Sequence, residues 1–179
     1  MKKFATILVF LVLAGTSAAQ AQFHLEGMLG YGFKDGWKFG YGARAGFDLG
    51  SILYLGGVYV AHTGIEETIT INQAPSTFEA NVSYYGAEVG LPLGGLITLR
   101  PSVIIGAAKV KAEYAAFITD ETKFMVAPGL SAYLELGPLY LGGDGRLVIV
   151  GKDDSFDYEN VENPSGTLFA VYAIVGVKF

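Results

Sequence analysis

Three four-residue punctuations constrain this chain more than any other feature. Leu49-Gly50-Ser51-Ile52, Leu93-Gly94-Gly95-Leu96 and Leu136-Gly137-Pro138-Leu139 share the pattern Leu-Gly-x-Leu/Ile, and their starts lie 44 and 43 residues apart. Gly and Pro at these places read as tight turns. Runs of strict apolar alternation flank each turn, the period of a β-strand. Between successive turns lies one longer polar stretch: residues 63–81, 109–123 and 151–166, with a shorter one at Lys34 to Trp37. The spacing predicts eight strands, over about 23–33, 38–49, 52–62, 82–92, 96–108, 124–135, 139–150 and 167–179. Three short turns then lie at one end and four polar loops at the other. Strands of roughly 9–13 residues are long for a soluble sheet, where 5–6 is usual, and match the 9–11 that a tilted strand needs to cross a bilayer.

The two parities of these strands differ in kind. One carries Phe23, Leu25, Leu29, Tyr31 and Phe33, then Phe39, Tyr41, Phe47 and Leu49, and ends in the run Phe169, Val171, Ala173, Val175, Val177 and Phe179. No charge interrupts it, and aromatics gather at the strand ends, the girdle arrangement of a membrane barrel. The other parity mixes Gly, Ala and Ser with isolated charges. Lys38, Arg44, Arg100, Arg146 and Lys178 stand against Glu26, Asp48, Glu88, Glu135 and Asp144. Gly weakens a solvent-facing strand, whereas a barrel of eight strands is only just wide enough inside for side chains. The polar parity therefore reads as a lumen, in which five bases and five acids are balanced for pairing. Residues 52–62 are apolar on both parities, and the pattern leaves their facing open.

Composition agrees with a membrane setting. The chain is 51% hydrophobic and 16% charged, with 25 Gly among 179 residues, against about 25% charged and 7% Gly in soluble domains. Lys2 and Lys3, the apolar run Phe4 to Ala14, and small residues ending in Ala19-Gln20-Ala21 form a secretory signal peptide over 1–21, cleaved before Gln22. The mature domain, 22–179, then carries ten basic and seventeen acidic residues. A nucleic-acid partner needs a basic face, which this balance does not offer. With no Cys, thiol catalysis and thiolate metal sites are excluded.

The fold class implied is all-β: a transmembrane, eight-stranded, antiparallel up-and-down β-barrel preceded by a cleaved signal peptide. Across Phe23 to Phe179 the turn spacing, parity pattern and terminal Phe resemble the small bacterial outer-membrane barrels, the OmpA transmembrane domain and OmpX family. That resemblance implies a Gram-negative cell outer membrane, with outer-membrane lipid and lipopolysaccharide as surroundings. It also implies that the last strand, with Ala173, Val175, Val177 and Phe179, is read by the outer-membrane assembly machinery. Loops 63–81, 109–123 and 151–166 are the surfaces expected to meet an extracellular partner.

No constellation of catalytic, cofactor-binding or metal-ligating residues stands out. Of the two histidines, His24 falls near the mature start and His62 in Val60-Ala61-His62-Thr63-Gly64. A His-x-Ser lipid deacylase would place a nucleophile two residues on, where Gly64 stands, and nucleophile and base must meet. The acidic stretch 151–166 lacks the EF-hand spacing. The expectation is a non-enzymatic envelope barrel with a packed charged lumen. The other readings are a soluble lipocalin-like barrel, with the apolar parity lining a ligand cavity, a lipid-modifying enzyme, and a narrow ion pore.

Overall fold

The computed structural model describes residues 22–34, 37–50, 52–64, 66–71, 74–114, 117–151 and 166–179, without the side chains of 66–71, 74–80 and 112–120. The export-signal reading on 1–21 and most of the acidic loop, 152–165, lie outside the described residues. Ten strands run in order: β1 (Gln22–Gly32), β2 (Phe39–Leu49), β3 (Leu53–His62), β4 (Glu66–Ile71), β5 (Ala74–Gly90), β6 (Leu93–Gly94), β7 (Ile97–Tyr114), β8 (Phe117–Leu136), β9 (Leu139–Val150) and β10 (Gly166–Lys178). Eight of them close a ring in the order β1-β2-β3-β5-β7-β8-β9-β10 and back to β1, with every pairing antiparallel. This is an eight-stranded up-and-down barrel. Its seam is the β1–β10 ladder, from His24 opposite Lys178 to Gly32 opposite Ala170. Phe23 and Phe179 exchange backbone hydrogen bonds of 3.2 and 2.9 Å beyond it.

The punctuating glycines do what their sequence context demands. Gly50, Gly94 and Gly137 have φ of 63°, 133° and 70°, in the half of backbone space that costs other residues most. The first and third turns are tight. The second is wider, running from Leu91 to Leu96 and holding the two-residue β6 against Thr98 and Leu99.

Strand lengths depart from the sequence expectation at the opposite end. Residues 63–81 and 109–123, expected as loops, are mostly strand: β4 pairs with the start of β5, and the β7–β8 ladder runs on to Tyr114 opposite Phe117. β3 and β9 stop earlier, so β4, β5, β7 and β8 continue past the barrel rim as a four-stranded sheet. The alternation of Thr68-Ile69-Thr70-Ile71 and the Val110 segment carries this ladder, because strand pairing satisfies the backbone in water as well as in lipid. Polar composition alone read as loop.

Facing follows the parities. Even-numbered residues of β1, β2, β3, β5, β7, β9 and β10 are turned inward, and odd-numbered residues of β8. This settles β3: Tyr54, Val58, Val60 and His62 are inside, while Tyr59 is outside. Leu25, Leu29, Tyr41, Val89, Leu99, Ile105, Leu130, Leu141 and Val175 are all exposed at 44% or more. They form a continuous apolar belt around a closed barrel. Eleven residues of β9, from Leu139 to Ile149, at about 3.3 Å each and tilted about 40°, span roughly 25 Å, the height of a lipid-facing band. A monomeric soluble protein does not expose apolar surface on this scale. The lipocalin-like reading is overturned, because the apolar parity that it needs inside faces outward.

Candidate functional site: the closed lumen

The lumen is built in two tiers. Toward the turn end, Glu26 on β1 lies directly across from Arg44 on β2, and Arg44 is the hub of the lower tier. Its Nε is 3.1 Å from Glu26 Oε2. Its Nη1 donates to Glu88 Oε1 and Ser131 Oγ, each at 3.2 Å, and its Nη2 to Asp144 Oδ2 at 3.2 Å. Arg146 Nη2 donates to Glu88 Oε1 at 2.7 Å and Asp144 Oδ2 at 2.8 Å, and its Nε sits 2.8 Å from Asp144 Oδ1. Arg100 Nη2 donates to Glu26 Oε1 at 2.8 Å, while its guanidinium carbon lies 4.0 Å over the Tyr54 ring and 5.2 Å from that of Tyr133. All six of these ionised side chains are fully enclosed. Three guanidiniums and three carboxylates neutralise one another, and Ser102 and Ser131 supply short bonds of 2.6 Å to Glu88 and Asp144. Charges out of water survive only in such company.

Two smaller pairs close the turn end. Lys178 Nζ donates to Glu135 Oε1 at 2.6 Å, beside Thr98 Oγ1 at 2.8 Å. His24 Nε2 lies 2.8 Å from Asp48 Oδ2. Lys38, the fifth base on the polar parity, is half-buried just before β2 at the hairpin end. Beside Asp48 stands His24, a pairing that parity alone does not reveal.

The upper tier is apolar. Met28, Val58, Val60, Val82, Ile104, Ala108, Val110, Met125, Val148, Val150 and Leu168 are buried in one cluster. Trp37, fully buried, folds in from the first loop to cap it. Under Trp37 lies a polar string. Tyr84 Oη donates to Tyr172 Oη at 3.1 Å, Tyr172 Oη is 2.9 Å from His62 Nε2, and His62 Nδ1 is 3.3 Å from the Lys38 carbonyl oxygen. The reading of a charged lumen therefore describes one half of it. The signal for the other half was present, since Val60, Val82, Ile104, Val148 and Leu168 all sit on the lumen parity toward one end, whereas Trp37 had no periodic signal.

Glycines admit the rings. Gly176 on β10 stands between Glu26 on β1 and Tyr140 on β9, and a Cβ there would collide with the Tyr140 ring. Without one, Tyr140 crosses β10 and donates to Glu26 Oε1 at 3.0 Å. His62 lies over Gly40 in the same way.

Among the described residues, His62 is hydrogen-bonded to the phenol of Tyr172, and His24 to the phenol of Tyr140 and the carboxylate of Asp48. Among the described residues, no group of three or more His, Asp or Glu is placed to hold a metal ion.

A closed barrel with an apolar exterior and an enclosed charged interior defines the class: a transmembrane β-barrel. No protein-family model matches the chain, and no curated protein matches it. Solved structures do. Neisserial surface protein A is matched over 89% of this chain and 97% of that one, at 12% identity and a TM-score of 0.66. A major outer membrane protein of Thermus thermophilus is matched over 89% and 99%, at 14% identity and a TM-score of 0.68. The N-terminal β-barrel domain of Pseudomonas aeruginosa OprF is matched over 88% and 97%, at 12% identity and a TM-score of 0.57. The small outer-membrane barrel is thus the fold shared.

Proposed function

We propose that the protein is an outer-membrane barrel that works as a sealed structural element and a display platform rather than as a channel or an enzyme. The observation that carries this reading is Arg44. It reaches carboxylates on β1, β5 and β9 across the centre of the lumen, and the apolar tier lies above it. Ions meet a neutralised, packed network and then a dry plug, and eight strands enclose no aqueous passage. The short turns and the seam end face the periplasm and the hairpins face outward, as in other transmembrane barrels. The sheet of β4, β5, β7 and β8 then stands above the outer leaflet, where lipopolysaccharide and extracellular partners are met. The β10 strand ending in Phe179 serves as the recognition element for the assembly machinery.

Fractionation of cells expressing the protein should place it in the outer membrane, with different gel mobility in heated and unheated samples. Purified protein in planar bilayers should show no steady conductance. Stable unitary currents from the intact barrel would replace the sealed reading with the narrow-pore one, and recovery in a soluble fraction would end both.

A further inference from the structure

Among the described residues, the ladders that close the barrel are interrupted at one place, and the apolar tier lies behind it. β8 and β9 pair Met125 with Val150 and Val126 with Ile149, and pairing resumes only at Gly129 opposite Arg146. Ala127 and Pro128 are left out. The cause is Pro128, which has no backbone N–H. Positions that exchange bonds alternate along an antiparallel ladder, and Gly151 N donates to the Phe124 carbonyl at 3.0 Å. The bonding positions of β8 toward β9 are therefore Phe124, Val126 and Pro128. The donor missing at Pro128 is the one due to the Leu147 carbonyl. Proline is ordinarily confined to sheet edges and bulges, yet β8 has a neighbour on each side. Pro101 on β7 makes the contrast. Its absent donor points toward Leu91, past the end of β5, so no ladder is broken there.

The break divides the ladder unevenly. Below it, eight consecutive pairs run from Gly129–Arg146 to Leu136–Leu139, and above it only two remain. On its other side β9 is paired to β10 without interruption. The outer end of β9, together with its β10 partner, is thus held to β8 by few bonds, where lipid offers no substitute for a lost one. Leu147 and Ile149 in that segment are exposed on the apolar belt.

What lies behind the break suits hydrocarbon. Met125 and Ala127 on β8, Val148 and Val150 on β9, and Leu168 and Ala170 on β10 belong to the buried apolar cluster. The next inward group below is Arg146, already held by Glu88 and Asp144, and its Nη1 donates to the Ala127 carbonyl at 3.2 Å. Met125 is unbranched and adapts its shape readily. An alkyl chain that takes the place of its thioether breaks no hydrogen bond, whereas a polar headgroup would find no partner in the tier. We infer that the wall opens sideways between β8 and β9 at Pro128 and admits the end of a lipid acyl chain from the outer leaflet into the apolar tier. The inference rests on the proposed membrane placement and goes beyond it: the axial path stays shut to ions while the side opens to hydrocarbon.

The test is methyl NMR of perdeuterated protein with protonated Leu, Val, Ile and Met methyls, folded in phospholipid nanodiscs. The readout is cross-relaxation from the acyl-chain protons, which reaches only neighbouring atoms. Cross-peaks are expected to the outward Leu147 and Ile149 and also to the inward Val148 and Met125. Ile174, buried with Tyr133 and Tyr140, should show none. Pro128→Val supplies the missing donor. A disulfide between Val126→Cys and Ile149→Cys, which stand opposite each other in a chain with no other Cys, fastens the same ladder. Each change should remove the inward cross-peaks and keep the outward ones. Outward cross-peaks without inward ones in the native sequence would overturn the inference, as would inward cross-peaks that survive both changes. Absence of the outward set as well would remove the membrane placement itself. If neither variant folds, the native spectrum decides alone.

Discussion

A single hydrogen at Gly176 and a single guanidinium at Arg44 do much of the lower lumen's work. Tyr140 reaches Glu26 only because Gly176 presents no side chain between them. Gly176→Val should displace the ring, strand the Glu26 bond and cost about 1–3 kcal/mol, the usual range for overpacking. Gly145→Ala is the matched control, because a Cβ there meets only the Phe169 ring at an ordinary 3.6 Å, and its unfolding midpoint should scarcely move. Arg44→Met leaves carboxylates of three strands without their shared cation, so a loss of about 3–5 kcal/mol is expected in denaturant titrations of the folded barrel. An unchanged midpoint for Arg44→Met would mean that water, not protein, surrounds that group. Parity alone placed Arg44, Arg100, Arg146, Glu26, Glu88 and Asp144 in the lumen. Their partners were not legible, since pairing across a barrel depends on register and tilt, and Trp37 was silent because one buried side chain in a loop has no period to betray it.

At the scale of elements, the turn glycines and the alternation located all eight barrel strands to within a few residues, and the strands failed to match only where they outgrow the bilayer. Polar residues end a membrane span but need not end a strand, which is why β5, β7 and β8 run on. The distinction gives a contrast. Ala173 lies at the middle of β10, outward between Leu29 of β1 and Gly143 of β9. Ala173→Arg puts a charge near the bilayer midplane and should cost roughly 2–4 kcal/mol. Thr63→Arg, just past the end of β3 and exposed, should be nearly silent. Measured in lipid vesicles, equal effects at the two positions would contradict the proposed membrane placement. Replacing residues 112–119 by a short turn should remove the projecting part of the β7–β8 hairpin and leave heat-dependent gel mobility intact, because the ladders that close the barrel lie below it.

For the whole molecule, the two tiers divide labour. The charged tier ties β1, β2, β5, β7 and β9 together through ion pairs across the lumen, while the apolar tier packs side chains from β1, β3, β5, β7, β8, β9 and β10 into one buried cluster. Deleting Phe179 tests the seam. It removes the two backbone bonds to Phe23 and a ring 6.2 Å from the Phe23 ring, together with part of the proposed assembly signal. The amount inserted in cells should fall by more than the stability of the purified remainder. Equal losses in both would assign Phe179 to the seam alone.

The seam also sets a timetable. β1 finds its second neighbour in β10, the last strand of the barrel in chain order, so the ladder from His24–Lys178 to Gly32–Ala170 joins residues 138 to 154 positions apart. Closing a loop of that length is slow compared with forming a hairpin, and until it closes both strands present a bare edge open to any other extended chain. Hairpins can form as their strands meet, but the ring cannot close until β10 lies beside β1.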